Sequence, residues 1–301
     1  MRHVYQYQKE RALGAGFFNA GANIGAILTP LIVTLITIHL GLSWRFCFIA
    51  TGAAGLLWLI PWLWLYRSPQ THPRLSPAEL AHIRSDPPDA VHHIPWLNLL
   101  RFRATWAFII GLSLTSPIWF FYLYWLPDFL AKSFHLDLRQ QQWPIIVVYL
   151  ISDAGSIAGG WLSSMLIHRG YSVLAGRKLA MLACAICVLP VFFAPRAADM
   201  WTATLLVALA AAAHQGWASN LFTFVSDTLP GCAVSSVAGM GGMTAGLVAI
   251  LFQEFSGHLL QSRHAGAYVT LFAICSSTYL IALLCIHLLV PRLPDVPDQR
   301  A

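Results

Sequence analysis

Apolar residues in this chain fall in long, nearly unbroken runs rather than in the spaced stripe of a helix with one wet face. Eight such runs lie at about 13–37, 46–66, 105–127, 144–167, 173–194, 200–224, 233–253 and 268–290. About 20 apolar residues in a helix cross the roughly 30 Å hydrocarbon core of a bilayer. Each run meets that length, so the pattern predicts an all-α, polytopic membrane protein with eight transmembrane helices. The run at 200–224 is the weakest, because His214, Gln215 and Asn220 interrupt it. The first run is long and Gly-rich, follows the charged Lys9-Glu10-Arg11 and has no small-residue cleavage site, which excludes a signal peptide.

The polar positions divide the runs unevenly. Two runs come first, then a Pro-rich polar stretch at 67–104, then six runs joined by short turns. The stretch reads as a linker between two membrane units. Within it, Ser76-Pro77-Ala78-Glu79 has a capping Ser, Pro at the first helical position and Glu at the third, predicting a short helix over 77–84. Ile94 to Phe102, with Trp96 and several Leu, reads as an interfacial segment leading into the third run.

Composition sharpens the class. Apolar residues make up 57% and charged residues 10%, against about 25% charge in soluble chains. That balance excludes a soluble enzyme, a disordered tail and a nucleic-acid binder. The net charge of +6 acquires a topological meaning instead. If the N-terminus is cytoplasmic, 13 of the 18 Lys and Arg fall in cytoplasmic segments and 5 outside. This predicts both termini inside, although the turn at 226–232 carries no positive charge. Of the cysteines, Cys184 and Cys187 have a C-x-x-C spacing, but they sit in an apolar run with no nearby His, which reads as packing rather than metal or redox chemistry. No metal, cofactor or catalytic constellation is read from the sequence.

Two runs followed by a long inside loop and six more runs suit the last two helices of one six-helix half and the whole of a second. At this point the residues resemble a known family. Lys9-Glu10-Arg11-Ala12 with Gly14, Gly16, Phe18-Asn19, Gly21, Asn23 and Gly25 is similar to the fifth helix of major facilitator superfamily proteins, in the anion:cation symporter branch and nearest its hexuronate (galacturonate/glucuronate) transporters. The similarity continues through Trp44-Arg45-Phe46, Pro117-Ile118-Trp119, Tyr122-Leu123-Tyr124-Trp125-Leu126-Pro127 and Ser152-Asp153. It then runs through Gly159-Gly160-Trp161-Leu162-Ser163-Ser164, Arg169-Gly170, Arg177-Lys178, Ala213-His214-Gln215-Gly216-Trp217 and Ser226-Asp227. It covers nearly the whole chain.

The resemblance implies a major facilitator fold lacking its first four transmembrane helices. Residues 1–66 would be a remnant of the N-terminal half, 67–104 a cytoplasmic linker, 105–291 the C-terminal six-helix bundle and 292–301 a cytoplasmic tail. It implies a multi-pass protein of the bacterial inner membrane, working as a monomer. The full-length ancestor would move a small organic anion, a hexuronate, with protons by alternating access. The chain by itself is then expected not to transport, as a fragment, a product of a wrong start or a degraded gene. The family pattern also has a Lys near Leu112 and an Asp near Ser116; this chain has neither.

Candidate site residues follow from polar groups in apolar runs. Asn23 and Asn19 share a face at i, i+4 spacing; amides there serve a sugar acid or interhelical hydrogen bonds, and the resemblance favours Asn23 as a pocket residue. Trp119, Tyr122 and Trp125 recur every third position, either as an aromatic platform for a sugar ring or as packing, with Tyr122 the deepest. Gln215 and Ser219 share a face and, with Asn220 and His214, polarise their span; they read as a cavity cluster. Asp153, a few residues into its run, is either a polar contact near the cavity or outer gate, or an acid hydrated at the outer interface. Gly159–Ser164 with Arg169, Gly170, Arg177 and Lys178 resembles the second-half copy of the superfamily's cytoplasmic loop motif. It is read as a gating latch, against the plainer reading of positive-inside charge.

Overall fold

The structure is a computed structural model and describes residues 25, 28–67, 76, 94–262 and 266–291. The expected helix over 77–84, Asn19 and Asn23 lie outside the described residues. All regular structure among the described residues is helical. The chain divides into two compact units, Met1–Val91 and His92–Ala301, with the division inside the polar 67–104 stretch.

In the first unit, Leu28–His39 is a short apolar helix whose last turn, Leu35–His39, widens to a π-helix. Gly41 turns the chain with φ 63°. Helix α1, Arg45–Leu65, follows with Pro61 inside it. Trp58, Trp62 and Tyr66, spaced at i, i+4 and i+8, stack in sequence with centroids 5.2 and 4.6 Å apart. Such an amphipathic aromatic ladder at a helix end suits the headgroup level of a bilayer.

The second unit begins with one helical turn, Trp96–Leu99, inside the expected interfacial segment. Its Leu99 is buried while Trp96 and Leu97 are exposed. Six helices follow: α2 (Arg103–Phe134), α3 (Leu138–His168), α4 (Val173–Val188), α5 (Met200–Thr228), α6 (Gly231–Gln261) and α7 (Ala267–Leu289). Their ends are chemically marked. The Asp137 carboxylate accepts from the Gln140 amide at 2.7 Å while the Gln140 side chain accepts from the Asp137 amide at 3.0 Å, a reciprocal capping box opening α3. Ser172 caps α4. Asp199 caps α5 through the Thr202 amide at 3.0 Å and the Thr202 hydroxyl at 2.6 Å; these bonds, the hydroxyl's first, hold its carboxyl below the usual carboxylate range.

Helix α4 does not stop at Val188 but tightens into a 3-10 segment, Leu189–Arg196. Pro190 has no amide hydrogen for the carbonyl four residues back, and its ring crowds that turn, so the helix narrows rather than continuing unchanged.

Six of the described helices are long and apolar enough to cross a membrane: α1, α2, α3, α4 with its 3-10 extension, α6 and α7. The sequence pattern predicts eight over the whole chain; these six are the ones that meet the measure among the described residues. Most of the first run lies outside the described residues. Helix α5 spans 29 residues but, as its His214, Gln215 and Asn220 foretold, falls short of the others in hydropathy. It is nonetheless the most enclosed helix, with Trp217, Leu221 and Phe224 fully buried. Its polar groups are shielded by neighbouring helices instead of by lipid.

Packing within this unit is pairwise: α3 lies along α5, α2 along α6 and α7, and α4 between α5 and α7. Small residues set the tightest contact. A β-carbon on Gly155 would overlap the Ala212 backbone, and one on Gly159 would overlap the Gly216 backbone. The α3–α5 axes approach that closely because Gly155 and Gly159 put no side chain between the two backbones.

The α3–α4 turn is a helix-ending motif built on Gly170. Its φ of 97° is unfavourable for residues with a β-carbon. The Tyr171 amide donates to Leu166 at 3.3 Å and the Gly170 amide to Ile167 at 3.0 Å, the paired bonds of a Schellman cap. Gly170→Ala is expected to cost about 1–2 kcal/mol in thermal unfolding. Gly160→Ala in the same region, where a β-carbon meets nothing within 4 Å, serves as the control.

Candidate functional site

A set of half-buried polar and aromatic side chains gathers where α2, α3 and α5 converge. Helix α3 presents Tyr149, Asp153 and Ser156 at i, i+4 and i+7 spacing, so the three share a face. Helix α5 presents Gln215, Ser219 and Thr223 four residues apart in the same way. The two faces meet at a hydrogen bond of 3.0 Å between the Ser156 and Ser219 hydroxyls. From α2, the Trp119 ring reaches both helices. It stacks on His214 with centroids 5.2 Å apart and planes at 9°, and meets Tyr149 edge-on at 6.4 Å. His214 itself is buried, its Nδ1 2.6 Å from the Tyr279 hydroxyl of α7. Trp119 is therefore backed by an imidazole held in place by a hydrogen bond.

Sequence reading and tertiary placement agree for some candidates and part for others. Gln215 and Ser219 lie on this half-buried face. The Ser219 hydroxyl also bonds back to the Gln215 carbonyl at 2.9 Å, leaving the Gln215 amide as the least committed polar group of the α5 row. Asn220 points elsewhere. It is fully buried, and its Nδ2 donates to the Gly159 carbonyl at 2.9 Å and to the Gly216 carbonyl at 2.8 Å. It thus pins the α3–α5 crossing, the interhelical role that amides take where water is absent, rather than an open cavity. Tyr122, expected as the ring platform, is likewise sealed in the α2–α7 packing against Phe121 and Phe272. Trp119, one turn away, takes the position facing the polar cluster. Trp125 donates through Nε1 to the Gln253 side chain at 2.7 Å and ties α2 to α6.

Asp153 also moves in the reading. Helix α3 begins at Leu138 rather than near 144, making Asp153 the sixteenth of its 31 residues. It is central to the helix, not near its outer end, because the capping box adds a turn and a half before the apolar run starts.

The loop-motif residues form a second cluster at the other end of α3. The Arg177 Nε pairs with the Asp227 carboxylate at 3.1 Å, and its Nη1 donates to the Ser163 hydroxyl at 2.9 Å. One guanidinium on α4 thereby joins the ends of α3 and α5. Arg169 is the C-cap residue of α3, with Gly170 following in the turn described above. Lys178 turns away from this cluster; its Nζ donates to the Val290 carbonyl beyond α7. Sequence reading singled out both Arg177 and Asp227 but not their pairing, since 50 residues separate them.

The profile of the Major Facilitator Superfamily matches residues 6–253. This chain belongs to that superfamily. Among relatives of the superfamily member described here, the hexuronate transporter of Escherichia coli strain K12 is 27% identical over 296 residues, covering 96% of this chain and 67% of that protein. The probable L-galactonate transporter of the same strain is 26% identical over 262 residues, covering 85% of this chain and 57% of the relative. The galacturonate transporter of Dickeya chrysanthemi is 32% identical over 183 residues, 58% of this chain and 51% of the relative. The chain thus spans from about half to about two thirds of the length of these proteins. A bacterial homologue of the human lysosomal transporter Spinster, in an inward-facing and unoccupied conformation, matches at a TM-score of 0.57 with 14% identity, over 94% of this chain and 70% of that one. That likeness concerns the fold alone. Together, family membership and the six apolar helices make this a multi-pass membrane protein.

Proposed function

We propose that this chain forms part of a secondary transporter of sugar acids of the hexuronate type, which moves the anion with protons by alternating access. The observation that carries the reading is the α2–α3–α5 cluster. Trp119 offers a flat aromatic face to a sugar ring, while the Gln215 amide and the Tyr149 hydroxyl offer donors to hydroxyl and carboxylate oxygens around it, and the Ser156 and Ser219 oxygens, whose hydrogens are committed to Ser219 and the Gln215 carbonyl, accept from sugar hydroxyls. The relatives' names, hexuronate, galacturonate and galactonate transporters, supply the substrate class. Binding between two membrane units near the midplane is the general arrangement of such proteins. Asp153, midway along α3, suits a polar contact near the cavity or an outer gate.

In this reading Asn23 is a substrate-binding residue, and 1–66 is the remnant of the N-terminal half. The 67–104 stretch is the cytoplasmic linker, 105–291 the second bundle and 292–301 a cytoplasmic tail. Tyr122 and Asn220 stand behind the binding face and hold Trp119 and the α3–α5 seam in register. Arg169, Gly170 and Arg177 form the cytoplasmic latch, with Lys178 tying α4 to the chain just beyond α7. The protein works as a monomer in the bacterial inner membrane, with both termini cytoplasmic.

The purified chain in detergent is expected to bind galacturonate and glucuronate, read as a change in tryptophan fluorescence, and not to respond to neutral galactose. Gln215→Ala is expected to weaken galacturonate binding about tenfold, the value of one hydrogen bond at about 1.4 kcal/mol. Equal responses to galacturonate and galactose would overturn the substrate class. An unchanged affinity in Gln215→Ala would remove the α5 face from the site. Proton coupling predicts that galacturonate uptake by cells expressing the whole transporter collapses on addition of a protonophore.

A further inference from the structure

Between α4 and α7 lies a groove of about 790 Å³ that shares no residue with the proposed binding face. Its walls are apolar, with Leu179 and Leu182 on α4 and Leu280 and Leu284 on α7. All four are exposed, as leucines facing lipid are. One end differs sharply. Lys178 and His287 close it together with Tyr171 and Ser172, and no Asp or Glu lines the groove among the described residues. The Lys178 ammonium gives one hydrogen to the Val290 carbonyl and lies 3.5 Å from His287 Nδ1. A third N–H direction stays uncommitted.

Two further features point the same way. Helix α4 begins at this end, at its Ser172 cap, so the positive end of its dipole adds to the two basic side chains. And the walls run parallel to the helices. His287, Leu284 and Leu280 follow at i, i−3 and i−7 along about 10 Å of α7, a strip that starts at the charges and continues into the apolar span. A free anion would use the basic end and leave the leucine strip without a role. A molecule with an anionic head and hydrocarbon chains uses both.

We propose that this groove is a binding site for an anionic phospholipid. Its phosphate lies against Lys178 and His287, and its acyl chains lie between Leu179 and Leu182 of α4 and Leu280 and Leu284 of α7. Basic pockets between transmembrane helices on the cytoplasmic side take such head groups, and the cytoplasmic leaflet is the anionic one. The cluster of Arg169, Arg177 and Lys178 places this end of the bundle on that side by the charge rule. The site goes beyond the sugar-acid reading and stands without it.

The test is native mass spectrometry of the full chain, released from detergent after addition of either phosphatidylglycerol or phosphatidylcholine. Phosphatidylglycerol is expected to be retained and phosphatidylcholine not. Lys178→Gln with His287→Gln is expected to lower phosphatidylglycerol retention at least about fivefold. Ala175→Phe fills the groove wall while keeping both charges, and is expected to lower it as well. It decides the matter if the double variant fails to elute as a single helical species. Equal retention of the two lipids, wild-type retention in a folded Ala175→Phe, or displacement of phosphatidylglycerol by inorganic phosphate alone would each overturn the proposal. Galacturonate binding measured on Ala175→Phe is expected to be unchanged, which separates this site from the proposed transport site.

Discussion

Gly159→Leu is expected to prevent assembly of the second bundle, seen as loss of the monodisperse species in size-exclusion chromatography and of a cooperative thermal transition. In this position a first side-chain atom already overlaps the Gly216 backbone, and backbone does not rotate out of the way as a flexible side chain would. Overpacking a tight contact costs ~3 kcal/mol or more. Here the damage spreads, because separating α3 from α5 also withdraws the Gly159 carbonyl from Asn220 and parts the Ser156–Ser219 pair. Gly160→Leu is the matched control. It lies next in sequence on the same helix, but a β-carbon there meets nothing within 4 Å, so it should leave the transition within error of the parent. If Gly159→Leu unfolds at the parent's temperature, the close α3–α5 crossing is not what organises this bundle.

The second large effect is at the guanidinium that joins three helices. Arg177→Gln is expected to destabilise the bundle by about 2 kcal/mol in detergent, within the range for hydrogen bonds to charged groups. The pair is more than a surface contact, since the Arg177 and Asp227 side chains are only 17% and 27% exposed. Removing either partner leaves the other half-buried and uncompensated. Asp227→Asn should cost less than Arg177→Gln, because Arg177 also serves the Ser163 hydroxyl. The double variant should then cost less than the sum of the two singles, by the coupling that a double-mutant cycle reads. Strict additivity would show that the pair is not coupled. If these residues also act as a latch, the Arg177→Gln variant should bind galacturonate with near-parent affinity while uptake by the whole transporter falls. A purely structural role would change both in proportion to folded protein.

The two variants illustrate what could be read early and what could not. Gly159 and Arg177 both stood out in the sequence, one as a small residue in a membrane run and the other as a positive charge after one. Gly216 and Asp227 stood out as well, but not as their partners. Gly216 lies on α5, and Asp227 sits in the last helical turn of the same helix. Only the packing of α3, α4 and α5 brings these groups within contact. The same limit explains Tyr122 and Trp119. Periodicity put both near one side of α2, but a three-residue step turns a helix by less than a full circle. That remaining rotation is enough to bury Tyr122 against Phe272 and aim Trp119 at His214. The start of α3 escaped the apolar pattern for a local reason: Leu138 to Trp143 contains too many polar residues to join an apolar run, yet the Asp137–Gln140 capping box makes it helix.

By itself the sequence determined the class and the helices of the second unit, because hydrocarbon admits only segments that satisfy their own backbone and expose apolar side chains. Hydropathy records that requirement residue by residue. It also marked α5 as the span with polar cargo. Which of those polar groups face a shared site, which pin one helix to another, and where Lys178 turns to complete a groove were decided only by the tertiary structure. These properties depend on helix rotation and on pairings across tens of residues, and a bilayer leaves them to side-chain packing and interhelical hydrogen bonds that no single stretch of chain contains.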